Sequence, residues 1–116
     1  MRMEQVKKMI SEKLREKKVV VYSKSYCPYC KKAKNVLGKY PIKDDQIEIT
    51  ELDLMADQDQ AHLIQEYMKS LTGASTVPRV FINGKCIGGG DDTEKLDRNG
   101  ELKKLLTDSG AVRGEL

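Results

Sequence analysis

The 116-residue sequence predicts an α/β protein built on a central four-stranded mixed sheet with helices on both faces. Two observations carry that class. Helical and strand patterns alternate through the first two thirds of the chain, as in units where a helix connects parallel strands. An Asn-Gly pair at 83–84 then separates two short apolar runs, the strongest local mark of a tight antiparallel hairpin. The resulting order is α-β-α-β-α-β-β-α.

Each element has its own reason. Met3, Val6, Ile10 and Leu14 recur at helical spacing, so residues 3–17 form an amphipathic helix expected to pack on the core. The run VVVYS, residues 19–23, is short, continuous and β-branched, as in a strand buried on both faces. YCKKAKNVLGKY reads as a helix ending near Tyr40, ahead of Pro41. IEITELDL, residues 47–54, is a second strand, parallel to the first by a right-handed crossover. Ala61, Ile64, Met68 and Leu71 line one face of a helix over residues 57–71, with Gly73 closing it. VPRVFI and KCIGG flank the Asn-Gly turn, and DDTEKLDRNGELKKLLTDSG yields one or two short helices. No linker, repeat or low-complexity stretch divides the chain, so residues 1–116 read as a single domain.

Composition narrows the function classes. With 39% hydrophobic and 34% charged residues the chain reads as an ordinary globular protein. No apolar run approaches the roughly 18 residues of a membrane span, and no membrane role is expected. The first residues lack the apolar core of a secretory signal. Three cysteines cannot build a disulfide framework, so a cytoplasmic location is the expectation. The net charge of +3 hides an asymmetry: residues 1–43 carry 13 Lys or Arg against three acids, and residues 44–116 carry 8 against 15. The basic residues from Arg2 to Lys18 fit the outer face of a helix without interleaved aromatics. That is a solvated surface rather than a nucleic-acid site.

The chemistry concentrates in SKSYCPYCKK, residues 23–32. Cys27 stands where a strand gives way to a helix, beside unpaired first-turn N–H groups and the positive end of the helix dipole. Four lysines (Lys24, Lys31, Lys32, Lys34) and no acid lie between Ser23 and Asn35. Both features stabilise a thiolate, so the Cys27 pKa is expected below that of a free cysteine. Pro28 suits the first helical position, where its missing N–H has no partner to lose. Cys30, one turn on, is near enough to resolve a mixed disulfide on Cys27. A zinc site would need about four ligands, and only Cys86 and the lone His62 remain to supply them. A purely structural bridge would close too short a loop to constrain the unfolded chain. A redox couple is therefore the favoured reading. Cys86, in the hairpin, is expected to be a half-buried small side chain.

YCPYC after a strand, TVPRVFINGKCIGG after a helix and GGGDD before the last helices together resemble the glutaredoxin family, closest to its dithiol C-P-Y-C class, across residues 6–110. The resemblance implies the thioredoxin fold, in agreement with the element order above. It implies that Pro78 is a cis-proline facing the cysteines, where the sequence alone would give a strand-start proline. It further implies a groove for the tripeptide glutathione, with the Val77 backbone pairing to it like an added strand and Thr76 and Tyr29 beside it. Lys24 and Gln65 resemble the positions that hold the glycine carboxylate. Gly89 and Gly90 would let the ligand approach the backbone. Asp91 and Asp92 open a helix whose N–H groups would bind the γ-glutamyl carboxylate, with the Asp92 side chain meeting its ammonium. Asp91-x-x-Glu94 also fits a capping pattern, so one aspartate can cap while the other binds. Position 90 is glycine where some members of the family carry another residue.

The implied activity is glutathione-dependent thiol–disulfide exchange. It would act on protein–glutathione mixed disulfides and protein disulfides, with glutathione as cosubstrate, no bound cofactor or metal, and a monomeric state. Two alternatives differ in kind. A thioredoxin would carry W-C-G-P-C around the pair, which this chain lacks. An iron–sulfur carrier would share a cluster between two subunits through Cys27 and glutathione, and such members more often have a small residue where Pro28 stands.

Overall fold

A computed structural model describes residues 2–114. Five helices and four strands follow in the predicted order: α1 (Arg2–Glu16), β1 (Val19–Ser23), α2 (Pro28–Leu37), β2 (Ile47–Glu51), α3 (Gln58–Thr72), β3 (Arg79–Ile82), β4 (Lys85–Gly88), α4 (Gly90–Arg98) and α5 (Glu101–Ser109). The sheet order is β2-β1-β3-β4. Strand β1 runs parallel to β2 and antiparallel to β3, and β3 pairs antiparallel with β4. The mixed sheet is the predicted one. Its tight turn holds Asn83 at φ 53° and Gly84 at φ 81°, the double left-handed conformation that favours Asn-Gly.

The continuous apolar run of β1 is explained by burial on both sides, since all five of its residues are buried. Alternate residues serve two cores. Val19 and Val21 pack with Ala33, Leu37, Val80, Leu102 and Leu106 between the sheet and α2 and α5. Val20 and Tyr22 face Val6, Ile10, Leu52, Ile64, Met68 and Phe81 beneath α1 and α3. Tyr22 and Phe81 meet edge-to-face with ring centroids 6.3 Å apart. Each fully buried aliphatic side chain contributes about 1.5–3 kcal/mol relative to exposure. The N-terminal helix therefore joins the core through Val6 and Ile10.

Two boundaries fall short of the sequence pattern. Helix α2 stops at Leu37 rather than near Tyr40 because the chain tightens into three-residue turns, with Lys39 N–H bonding to Val36 O and Tyr40 N–H to Leu37 O. The Tyr40 hydroxyl then turns to Asp97 of α4. Strand β2 ends at Glu51, and Leu52–Leu54 form a 3-10 turn that buries Leu52. The Gln58 side-chain amide donates to the carbonyls of Leu52 and Met55, at 3.0 and 2.7 Å, and holds that turn closed. Helix α3 starts at the predicted place, capped by Asp57 accepting from Gln60 N–H, and ends at left-handed Gly73.

Candidate active site

The cysteine corner is built at the C-terminal end of β1. After Ser23 the chain turns outward, and the Ser25 N–H and hydroxyl both donate to the carboxylate of Asp53, in the turn that follows β2; the N–H bond is 2.8 Å long. This clamp fixes Lys24, whose N–H donates to Cys30 Sγ at 3.4 Å. Cys27 is the N-cap residue of α2 in an extended conformation, and Pro28 fills the first helical position. Cys27 is half-buried, while Cys30, one turn inward, has no exposed surface. Both thiols are free. Opposite them the Val77–Pro78 peptide bond is cis, as the resemblance implies, and the Val77 carbonyl accepts from the Cys27 thiol at 3.8 Å. Gln65 Nε2 donates to Ser75 O at 3.0 Å and ties α3 to the segment leading into Val77.

A groove of about 320 Å³ opens at Val77, whose carbonyl faces the Cys27 thiol. Tyr29 and Thr76–Pro78 form one side, Gly89–Asp92 the other, and Arg79 completes the lining. All the predicted groove residues other than Lys24 and Gln65 line it, and those two lie on the cysteine loop and behind Ser75. The groove brings together Tyr29, Thr76–Pro78 and Gly89–Asp92, and leaves Lys24 and Gln65 outside its lining. Two of its members have further structural duties. The Asp92 carboxylate accepts from Gly89 N–H at 2.9 Å, so Asp92 caps α4, whereas Asp91 reaches across to Lys32 Nζ at 3.0 Å. A Cβ on Gly90 would stand 2.5 Å from the Tyr29 carbonyl oxygen, so the missing side chain lets α4 close against α2. His62 is exposed on α3 and Cys86 half-buried on β4. Among the described residues no group of three or more His, Cys, Asp or Glu is placed to hold a metal ion, and no helix is long and apolar enough to cross a membrane.

Residues 19–87 match the sequence model of the family described as glutaredoxin. The chain belongs to the glutaredoxin family. Human glutaredoxin-1 is 42% identical over 101 residues, spanning 87% of this chain and 92% of the human one. Oxidised glutaredoxin 2 from Chlamydomonas reinhardtii superposes with a TM-score of 0.85 at 44% identity, over 97% of this chain and all of that one. A buckwheat glutaredoxin in complex with glutathione superposes at 0.86 with 31% identity, over 97% and 96% of the two chains. The thioredoxin fold is therefore shared with solved glutaredoxins, and the chain is a glutathione-dependent thiol–disulfide oxidoreductase.

The electrostatics of this glutaredoxin divide the two thiols. Partial burial pushes the Cys27 thiol up, but the Cys30 N–H, the Cys30 thiol, the Tyr29 N–H and the charge of Lys24 outweigh it and hold Cys27 below the ordinary cysteine value. Burial pushes Cys30 up; the Lys24 N–H and Ser23 hydroxyl oppose this, the Cys27 thiol and its charge add to it, and the result is a raised pKa. Of the four lysines around the pair, Lys24 is the one that acts on Cys27. Lys32 is held by Asp91 and Lys34 by Glu51 at 2.7 Å. Sequence reasoning missed two groups. Asp53 carries its signal only through a fold contact 28 residues away, and Arg79 reads as a strand residue until the groove is closed around it.

Proposed function

We propose that this glutaredoxin reduces protein–glutathione mixed disulfides through Cys27 alone and protein disulfides through Cys27 and Cys30 together. In the first route the Cys27 thiolate attacks the glutathionyl sulfur, the substrate disulfide breaks, and the protein thiolate leaves and takes a proton. A glutathione thiolate then attacks the glutathionyl sulfur on Cys27. Oxidised glutathione departs and the Cys27 thiolate returns. In the second route Cys27 opens a protein disulfide, Cys30 loses its proton and attacks the Cys27 sulfur, and the second protein thiolate leaves. Two glutathione molecules then reduce the Cys27–Cys30 disulfide.

The observation that carries this reading is a low-pKa thiol at a helix N-cap, aimed at the Val77 carbonyl at the head of a peptide-sized groove. The Val77 main chain would pair with the glutathione backbone, and Thr76 and Tyr29 would flank it. Lys24 and Gln65 would take the glycine carboxylate. At the far end the first-turn N–H groups of Gly90 and Asp91, which have no acceptor within the helix, would receive the γ-glutamyl carboxylate. The Asp92 oxygen not used in capping would meet the ammonium. The buckwheat complex with glutathione supports a tripeptide in such a groove. Monomeric action belongs to the same reading, as does a cytoplasmic compartment, since three cysteines are too few for a disulfide framework.

The test is Cys27→Ser assayed on a glutathionylated peptide with glutathione and its regenerating reductase. Turnover is expected to fall to the uncatalysed background. Retained turnover would end the reading.

A further inference from the structure

We propose that Arg79 is a specificity-determining residue of the groove, and that its guanidinium binds the α-carboxylate of the γ-glutamyl residue. This deepens the glutathione reading above and rests on it. Arg79 opens β3 directly after the cis-proline. Its Nε donates to Pro78 O at 3.0 Å, which anchors the fork at the groove wall and leaves the terminal nitrogens for other acceptors. Nη2 stands 3.2 Å from where a Cβ on Gly89 would lie, so the guanidinium reaches the γ-glutamyl end of the groove. No side chain could occupy position 89 without crowding it.

Charge at that end favours a cation beside the helix N–H groups. Asp91 and Asp92 both border the site, and their repulsion opposes the approach of a carboxylate. Lys32 offsets Asp91, at 3.0 Å, and is not itself part of the groove lining. Asp92 spends one oxygen on Gly89 N–H and so removes that amide from ligand binding. Among the described residues Arg79 forms no ion pair, and it is the one basic residue lining the groove. A planar fork with its Nε already fixed presents the remaining N–H groups to a carboxylate at low entropic cost. With Asp92 nearby for the ammonium, Arg79 completes a zwitterion clamp: a cation for the α-carboxylate and an anion for the α-amine.

The experiment measures single-turnover rates of the reduced protein with three mixed disulfides of one cysteinyl peptide. The partners are glutathione, 4-aminobutyryl-Cys-Gly, which lacks only the γ-glutamyl α-carboxylate, and 2-mercaptoethanol. The wild type is expected to prefer glutathione to both others. Arg79→Met, which keeps the aliphatic stem, should lose about ten-fold on glutathione, the loss of one partly exposed charge-assisted hydrogen bond, and nothing on the analogue lacking the carboxylate. An equal loss on all three disulfides, or no loss on glutathione, would overturn the role of Arg79 while leaving the glutathione groove intact. A wild type that reacts equally with all three would overturn the groove reading and this inference with it. Arg79→Gln, which keeps a donor toward Pro78, carries the same comparison if the methionine variant fails to fold.

Discussion

Cys27 and Cys30 are the same residue type, three positions apart, and their surroundings push them in opposite directions. Cys27 is half-exposed at the N-cap, where the Cys30 and Tyr29 N–H groups and Lys24 favour its thiolate. Cys30 is fully buried against the end of β1, and burial together with the neighbouring Cys27 charge favours its protonated form. The difference assigns the roles. The exposed low-pKa thiol attacks, and the buried one waits. Once Cys27 is tied up in a mixed disulfide its charge is gone, and one of the causes holding the Cys30 proton disappears. The Lys24 N–H and Ser23 hydroxyl then favour the Cys30 thiolate at the step that requires it. The order of reaction is thereby built into the coupling of the two sites.

The largest effect on this division should come from Cys30→Ser. Reduction of glutathione mixed disulfides persists because glutathione attacks Cys27 from outside. Reduction of a protein disulfide falls by at least about ten-fold, since an intramolecular thiol outcompetes a free one through its effective concentration. Parallel assays of the two substrates check this, and an equal loss on both would place Cys30 in the groove chemistry instead.

A smaller effect is expected from Asp53→Ala, which releases Ser25 and with it the loop that aligns Lys24 with both sulfurs. The Cys27 pKa should rise toward the free value, and turnover near neutral pH should drop a few-fold. The Ser25 hydroxyl and N–H lower the Asp53 pKa in the folded protein. Its contribution to stability is therefore present above the ordinary carboxylate value of about 3.9 and lost as the pH falls through the lower folded value. The stability gap between wild type and variant, read from denaturant midpoints, should hold from neutral pH down to about 4 and close only below it.

Much of the frame was readable in the sequence because its signals are local. The spacing of Met3, Val6 and Ile10 marks α1, the unbroken run of β1 reports burial on both faces, and Asn83-Gly84 specifies the hairpin turn. The errors arise where tertiary contacts decide. Tyr40 leaves the helical path to meet Asp97, and Leu52 turns into the core beneath a cap supplied by Gln58. The site divides the same way. Cys27 and Cys30 follow from their place at a strand–helix junction, and the groove residues from motif resemblance. The sequence pattern puts the capping spacing on Asp91 and the ligand ammonium on Asp92. In the fold Asp92 takes the Gly89 N–H and Asp91 meets Lys32 of α2, a contact across the fold that the sequence does not signal. Asp53 and Arg79 were invisible for a related reason, as their partners lie across the fold or line a space that exists only after folding.

The most direct measurement of the division between the two thiols is the pH dependence of alkylation of the reduced protein, with Cys27 and Cys30 quantified separately by peptide mass spectrometry. Cys27 should titrate below the free-cysteine value of about 8.5, and Cys30 above it. A Cys27 midpoint at or above the free value, or a reversed order of the two, would contradict the assignment of nucleophile and resolver.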